Sequence, residues 1–84
     1  MNGMSDIESE VHQISGIIHQ RCTGKMSFHD LRTRKAGNYK YVDFHLNLDP
    51  EKTVREAHEI CDQIEEDIKK AFDHTEVTIH VENF

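Results

Sequence analysis

The stretch Tyr39-Lys40-Tyr41-Val42-Asp43-Phe44-His45-Leu46-Asn47-Leu48 decides the architecture, because its apolar and polar side chains alternate cleanly. Val42, Phe44, Leu46 and Leu48 point one way, while Tyr41, Asp43, His45 and Asn47 point the other. A period of two residues is that of a half-buried β-strand. Upstream, residues 26–34 read as a second strand, joined to the first by Lys35-Ala36-Gly37-Asn38 as a hairpin turn. Its alternation is poor, since Asp30, Arg32 and Arg34 interrupt it. Downstream, Thr75, Val77, Ile79 and Val81 alternate with Glu76, Thr78, His80 and Glu82, which predicts a last strand.

Two helical patterns flank these strands. Ile7, Val11, Ile14, Ile18 and Cys22 recur at three- and four-residue steps and form one apolar stripe. Ser5 or Asp6 caps it, Glu8 and Glu10 suit its positive end, and Gly24 stops it. Asp49-Pro50-Glu51 predicts the start of the second helix, with Asp49 as cap and Pro50 in the first turn. Its stripe is Val54, Ala57, Cys61, Ile64, Ile68 and Ala71 or Phe72, and Asp73-His74 ends it. Glu65–Lys69 and Glu66–Lys70 are four-residue pairs on its solvated side. The order is therefore helix, strand, strand, helix, strand. A right-handed strand–helix–strand crossover places the two later strands parallel. The expected fold is α+β, a three-stranded mixed sheet covered on one face by two helices. Its other face is open and calls for a partner.

With 84 residues, a single domain over 1–84 is expected. A chain of this size buries only about 60–65% of its unfolded surface, so a metal or a partner subunit would help it fold. Acidic residues outnumber basic ones by 16 to 10, and the net charge of -6 disfavours nucleic acid and anionic membrane while favouring cationic ligands. No apolar run approaches the ~20 residues that span a bilayer, and no signal-peptide core follows Met1, so the chain is read as cytosolic. Cys22 and Cys61 form no CxxC pair and are expected to be reduced. Cys61 belongs to the apolar stripe and reads as core; Cys22, at the end of the first stripe, is ambiguous. There is no nucleophile–base motif and no phosphate loop, so catalysis is not expected.

The unusual residue is histidine, with seven copies at His12, His19, His29, His45, His58, His74 and His80. In a hairpin centred on Gly37, His29 and His45 face each other as cross-strand neighbours, with Cβ atoms ~5 Å apart. His80 and Glu82, two apart, share the face opposite Val77, Ile79 and Val81, and His45 likewise lies opposite the apolar residues of its strand. His29, His45, His80 and Glu82 are thus expected to converge on the open face. His58, at the margin of the second helical stripe, can approach the same edge. Imidazoles and a carboxylate suit Zn²⁺, and to varying degrees Cd²⁺, Ni²⁺, Co²⁺ and Mn²⁺. A carboxylate can also bridge two ions. A lone surface histidine is more often simply polar, and only the convergence weighs against that reading. His12 and His19, seven apart on a helix, lie ~10 Å apart along its axis and are read, with His74, as structural or surface residues.

The segment His29-Asp30-Leu31-Arg32-Thr33-Arg34, followed by Gly37, resembles the HDLRTR-x-x-G segment of cation diffusion facilitator cytoplasmic domains. Tyr41–Leu46, Ala57–Glu65 and Val77–Glu82 match further segments in the same order, so the similarity spans roughly residues 6–82. The resemblance implies an αββαβ, metallochaperone-like (ferredoxin-like) domain that lies below a membrane unit, forms homodimers and binds cytosolic metal, usually Zn²⁺. It also implies a binuclear site drawing on His29, His45, His58, His80 and Glu82. Glu82 stands where the family usually has Asp, which keeps the charge and adds a methylene. Two origins fit the resemblance. The chain is either the regulatory dimerisation module of a cation-efflux transporter, or a free-standing cytosolic metal buffer or chaperone beginning at its own Met1.

Overall fold

Five elements follow one another: α1 (Asp6–Arg21), β1 (Ser27–Ala36), β2 (Tyr39–Leu48), α2 (Val54–Ala71) and β3 (Thr75–Asn83). The structure, a computed structural model, describes residues 6–83. The expected αββαβ order is observed, and the sheet order is β1-β2-β3. β2 pairs with β1 antiparallel and with β3 parallel, so the sheet is mixed. The inward faces of the strands meet the helical stripes in one core of Ile14, Ile18, Val42, Phe44, Leu46, Leu48, Ile64 and Ile68, each at most 1% exposed. Burying a side chain of this kind contributes roughly 1.5–3 kcal/mol, so this layer is the main source of stability. α1 packs over β1 and α2 over β3, leaving the opposite sheet face open. No helix among the described residues is long and apolar enough to cross a membrane.

The hairpin differs from its sequence reading in an instructive way. The strands run on to Ala36 and resume at Tyr39, so the turn is the two residues Gly37 and Asn38, and Gly37 takes the left-handed conformation with φ 62°. Near that turn the register is Ala36↔Tyr39 through Arg32↔Asp43, one residue away from a hairpin centred on Gly37. The shift between Arg32 and His29 inserts one residue into β1, and His29↔His45 results. Asp30 within this bulge has φ 56°. The bulge explains the broken alternation: Phe28 and Leu31, three apart, are both half-buried against the core.

The start of α2 is a correction. Asp49 does not cap the helix; its side chain accepts from the Glu51 N–H at 3.0 Å, and its carbonyl from the Lys52 N–H at 3.0 Å. Pro50 thus sits in a separate turn. The cap is Thr53, whose hydroxyl accepts from the Glu56 N–H at 3.1 Å, while the Glu56 carboxylate accepts from the Thr53 N–H at 2.9 Å. This reciprocal box satisfies two terminal donors, which a lone Asp cap does not. Val54, the first helical residue, is 78% exposed and does not belong to the buried stripe. Of the Ala71–Phe72 alternative, Phe72 packs against the core. The expected Ser5 cap and the side chains of Ile7 and Glu8 lie outside the described residues.

α1 is held at both ends. Near its start, the Glu10 carboxylate lies 2.9 Å from the buried Lys40 Nζ and 3.7 Å from Lys35 Nζ. At its end, Arg21 donates to Asp67 on α2 at 2.6 Å and to Gln63 at 3.2 Å.

Candidate metal centre

Two registers build the site. The antiparallel register places His29 beside His45, and the parallel one places His45 beside His80. One row across the open face therefore carries three imidazoles. Their rings stack, with centroids 5.1 Å apart for His29–His45 and 4.8 Å for His45–His80. Glu82, two residues beyond His80, reaches back across this row. Its carboxylate accepts from His45 Nδ1 at 2.6 Å and lies 3.7 Å from His29 Nε2. An ionised carboxylate only accepts, so the neutral His45 tautomer that makes this bond is the one protonated on Nδ1, with Nε2 as its lone-pair nitrogen. Asp30, set by the bulge, places Oδ2 3.9 Å from His29 Nε2.

Among the described residues, His29, His45 and Glu82 form the one group of three whose ligand atoms all lie within 4.8 Å of one another. The group is half-buried to exposed, and its two imidazoles and one carboxylate make the kind of donor set that borderline divalent metals take. His80 stacks on this group without joining the compact set. His58 lies on the helical layer, where it lines a groove with Leu48, Asp49 and Val81. That groove is at the same end of the sheet as Glu82, which pairs with Asn47.

The remaining candidates stand apart. His12 and His19 are exposed on α1, and His74 packs its ring against Tyr39 at 5.6 Å. Cys22 and Cys61 are free thiols packed against the core. Burial pushes the Cys22 thiol up, and burial followed by the charges of Asp62 and Glu65 does the same to Cys61. Neither is poised as the thiolate that metal ligation needs. Sequence reasoning missed Asp30 as a neighbour of the site. The signal was the interrupted alternation of β1, which a bulge explains.

The family model ZT_dimer, cation efflux protein, cytoplasmic domain, matches residues 7–84. The chain belongs to this family. The cation-efflux pump FieF of Shewanella oneidensis is 36% identical over 75 residues, covering 89% of this chain and 25% of that protein. FieF of Shigella flexneri is 33% identical over 73 residues, covering 87% and 24%. The chain thus spans about a quarter of the length of the curated relatives it matches. Among solved structures, CzrB superposes with a TM-score of 0.83 at 36% identity, over 98% of this chain and 99% of that one. Its Zn form gives 0.81 at 36% identity, over 99% and 93%. The metal-bound C-terminal domain of the CzcD transporter from Thermotoga maritima gives 0.79 at 27% identity, over 95% and 94%. The family is one of cation-efflux protein cytoplasmic domains, not of enzymes.

Proposed function

We propose that this cation-efflux cytoplasmic domain binds divalent transition metal, Zn²⁺ foremost, on its open sheet face and pairs there with a second copy. Through that pairing it would report cytosolic metal to a cation-efflux membrane unit. The carrying observation is the His29–His45–Glu82 group, preassembled by strand register. His80 stands next to it as a further donor, and Glu82 has two oxygens with which to bridge a pair of ions. His58 is the fifth proposed ligand. It rests on the family resemblance and on its position at the same end of the fold. The Zn form of CzrB and the metal-bound CzcD domain support the metal class, and a cadmium form of a MamM domain variant with one histidine replaced by aspartate, 25% identical with a TM-score of 0.80, supports the wider set.

Metal ligation requires neutral imidazole, so affinity should fall steeply in acid, where protons compete with the metal for the ring nitrogens. Calorimetric titration with Zn²⁺ at about pH 7.5 and 5.5, with sedimentation at tens of micromolar, tests both halves. Equal affinity at the two pH values would exclude histidine ligation. Monomer alone, with and without Zn²⁺, would exclude the pairing.

A further inference from the structure

Between the histidines and the hairpin, the open face carries two further cross-strand rows. Arg32, Asp43 and Thr78 form the first, and Arg34, Tyr41 and Glu76 the second. Among the described residues, neither Arg32 nor Arg34 lies in an ion pair, although acidic residues outnumber basic ones by 16 to 10. Asp43 stands beside Arg32 in register without closing a pair with it.

The two arginines border a hollow of about 450 Å³, with Tyr41, Asp43 and Thr78 as further walls. The Arg34 guanidinium lies 5.3 Å from the centroid of the Tyr41 ring, which holds its planar fork over the face. Arg32, Arg34, Tyr41 and Thr78 are all exposed. Glu76, the acid of the second row, borders a separate hollow beside Tyr39 and His74. A guanidinium without a carboxylate partner presents a rigid fork of donors to any oxyanion that reaches it.

We propose that this hollow binds a small hydroxylated polycarboxylate anion. Each guanidinium would take one carboxylate through parallel hydrogen bonds, the Tyr41 and Thr78 hydroxyls would donate further, and Asp43 would accept from the ligand's own hydroxyl. Two considerations favour a polycarboxylate over inorganic phosphate. Arg32 and Arg34 are two residues apart, ~6.6 Å along the strand, a spacing that suits separate carboxylates rather than one compact ion. Asp43 and His45 are also two apart, so a remaining carboxylate would reach the histidine row and, on the metal reading above, ligate an ion held there. Pairing of two copies at the histidine row would leave this half of the face accessible.

The probe is citrate, titrated at constant ionic strength into the metal-free ¹⁵N-labelled chain and followed by backbone amide and arginine Nε–H shifts. Saturable shifts at Arg32, Arg34, Tyr41 and Thr78 are expected, with inorganic phosphate binding about tenfold more weakly. Arg32→Gln and Arg34→Gln should each weaken citrate about tenfold, while Arg55→Gln, which removes an exposed guanidinium from α2, should change nothing. Absence of saturable shifts, equal affinity for phosphate and citrate, affinity unchanged in both arginine variants of β1, or an equal loss in Arg55→Gln would overturn the proposal. Calorimetry with Zn²⁺ in citrate-free buffer keeps the two sites apart. Zn²⁺ binding without citrate shifts would refute the hollow alone, and citrate shifts without Zn²⁺ binding would refute the metal centre alone.

Discussion

Replacing Glu10 by Gln should loosen the grip of α1 on the sheet by an amount that can be worked out beforehand. Lys40 is 7% exposed, its Nζ lies 2.9 Å from Glu10 Oε2, and it sits over the Phe72 ring at 3.9 Å from the centroid. Gln keeps the shape and one acceptor but removes the anion. A charge-assisted hydrogen bond contributes about 1.5–3 kcal/mol and a neutral one about 0.5–1.5, so the expected loss is about 1–2 kcal/mol. In a domain of this size that lowers the melting midpoint by about 5–15 °C. The pH dependence has a definite sign. The Lys40 hydrogen bond, more than any other influence, lowers the Glu10 pKa in the fold. A depressed carboxylate stabilises above its unfolded value and loses that contribution as pH falls through the folded one. The gap between wild type and Glu10→Gln should therefore persist at neutral pH and close as the pH drops below about 4.3. Adding Lys40→Met should recover part of the loss, because it removes the ammonium left without its anion. Scanning calorimetry across pH checks all three points. A Glu10→Gln midpoint within the error of wild type at pH 7, or a gap that widens in acid, would refute the reasoning.

Two further substitutions probe the devices that the hydrophobic pattern hides. Thr53→Ala removes the acceptor of the capping box and should cost about 1 kcal/mol, read as a midpoint lowered by about 4–8 °C; an unchanged midpoint would mean the box contributes nothing. Asp30→Gly suits the left-handed backbone of the bulge and should leave stability equal or higher, while Asp30→Val should cost about 1–2 kcal/mol. The reverse order in thermal melts would show that the bulge is not held by that conformation.

What the sequence made legible follows from which forces are periodic. β2 and β3 alternate because each buries one face, so their boundaries and the outward placement of His45, His80 and Glu82 could be read directly. β1 could not be read in the same way, because its inserted residue changes phase between Phe28 and Leu31. The His29–His45 pairing was nonetheless anticipated, for a reason the structure corrects. The two-residue turn moves the register one way, and the bulge moves it back by the same step. The start of α2 was misread because Asp49-Pro50 fits both a cap and a turn, and the choice fell to the side-chain bonds of Thr53 and Glu56. The Glu10–Lys40 pair was invisible in sequence, being a contact between elements thirty residues apart in which an inward-facing lysine carries no period of its own.

The most direct test of the metal centre is the melting shift that Zn²⁺ produces in a histidine series. A metal that binds only the folded state adds about 2.7 kcal/mol at a free concentration of 100 times Kd, a rise of roughly 10–20 °C here. His45 lies between His29 and His80 and holds Glu82, so His45→Ala should abolish most of that rise. His12→Ala, His19→Ala and His74→Ala should keep it, each compared with its own metal-free midpoint. A full Zn²⁺ shift in His45→Ala, or its loss in any of those three, would contradict the site assigned to the open face.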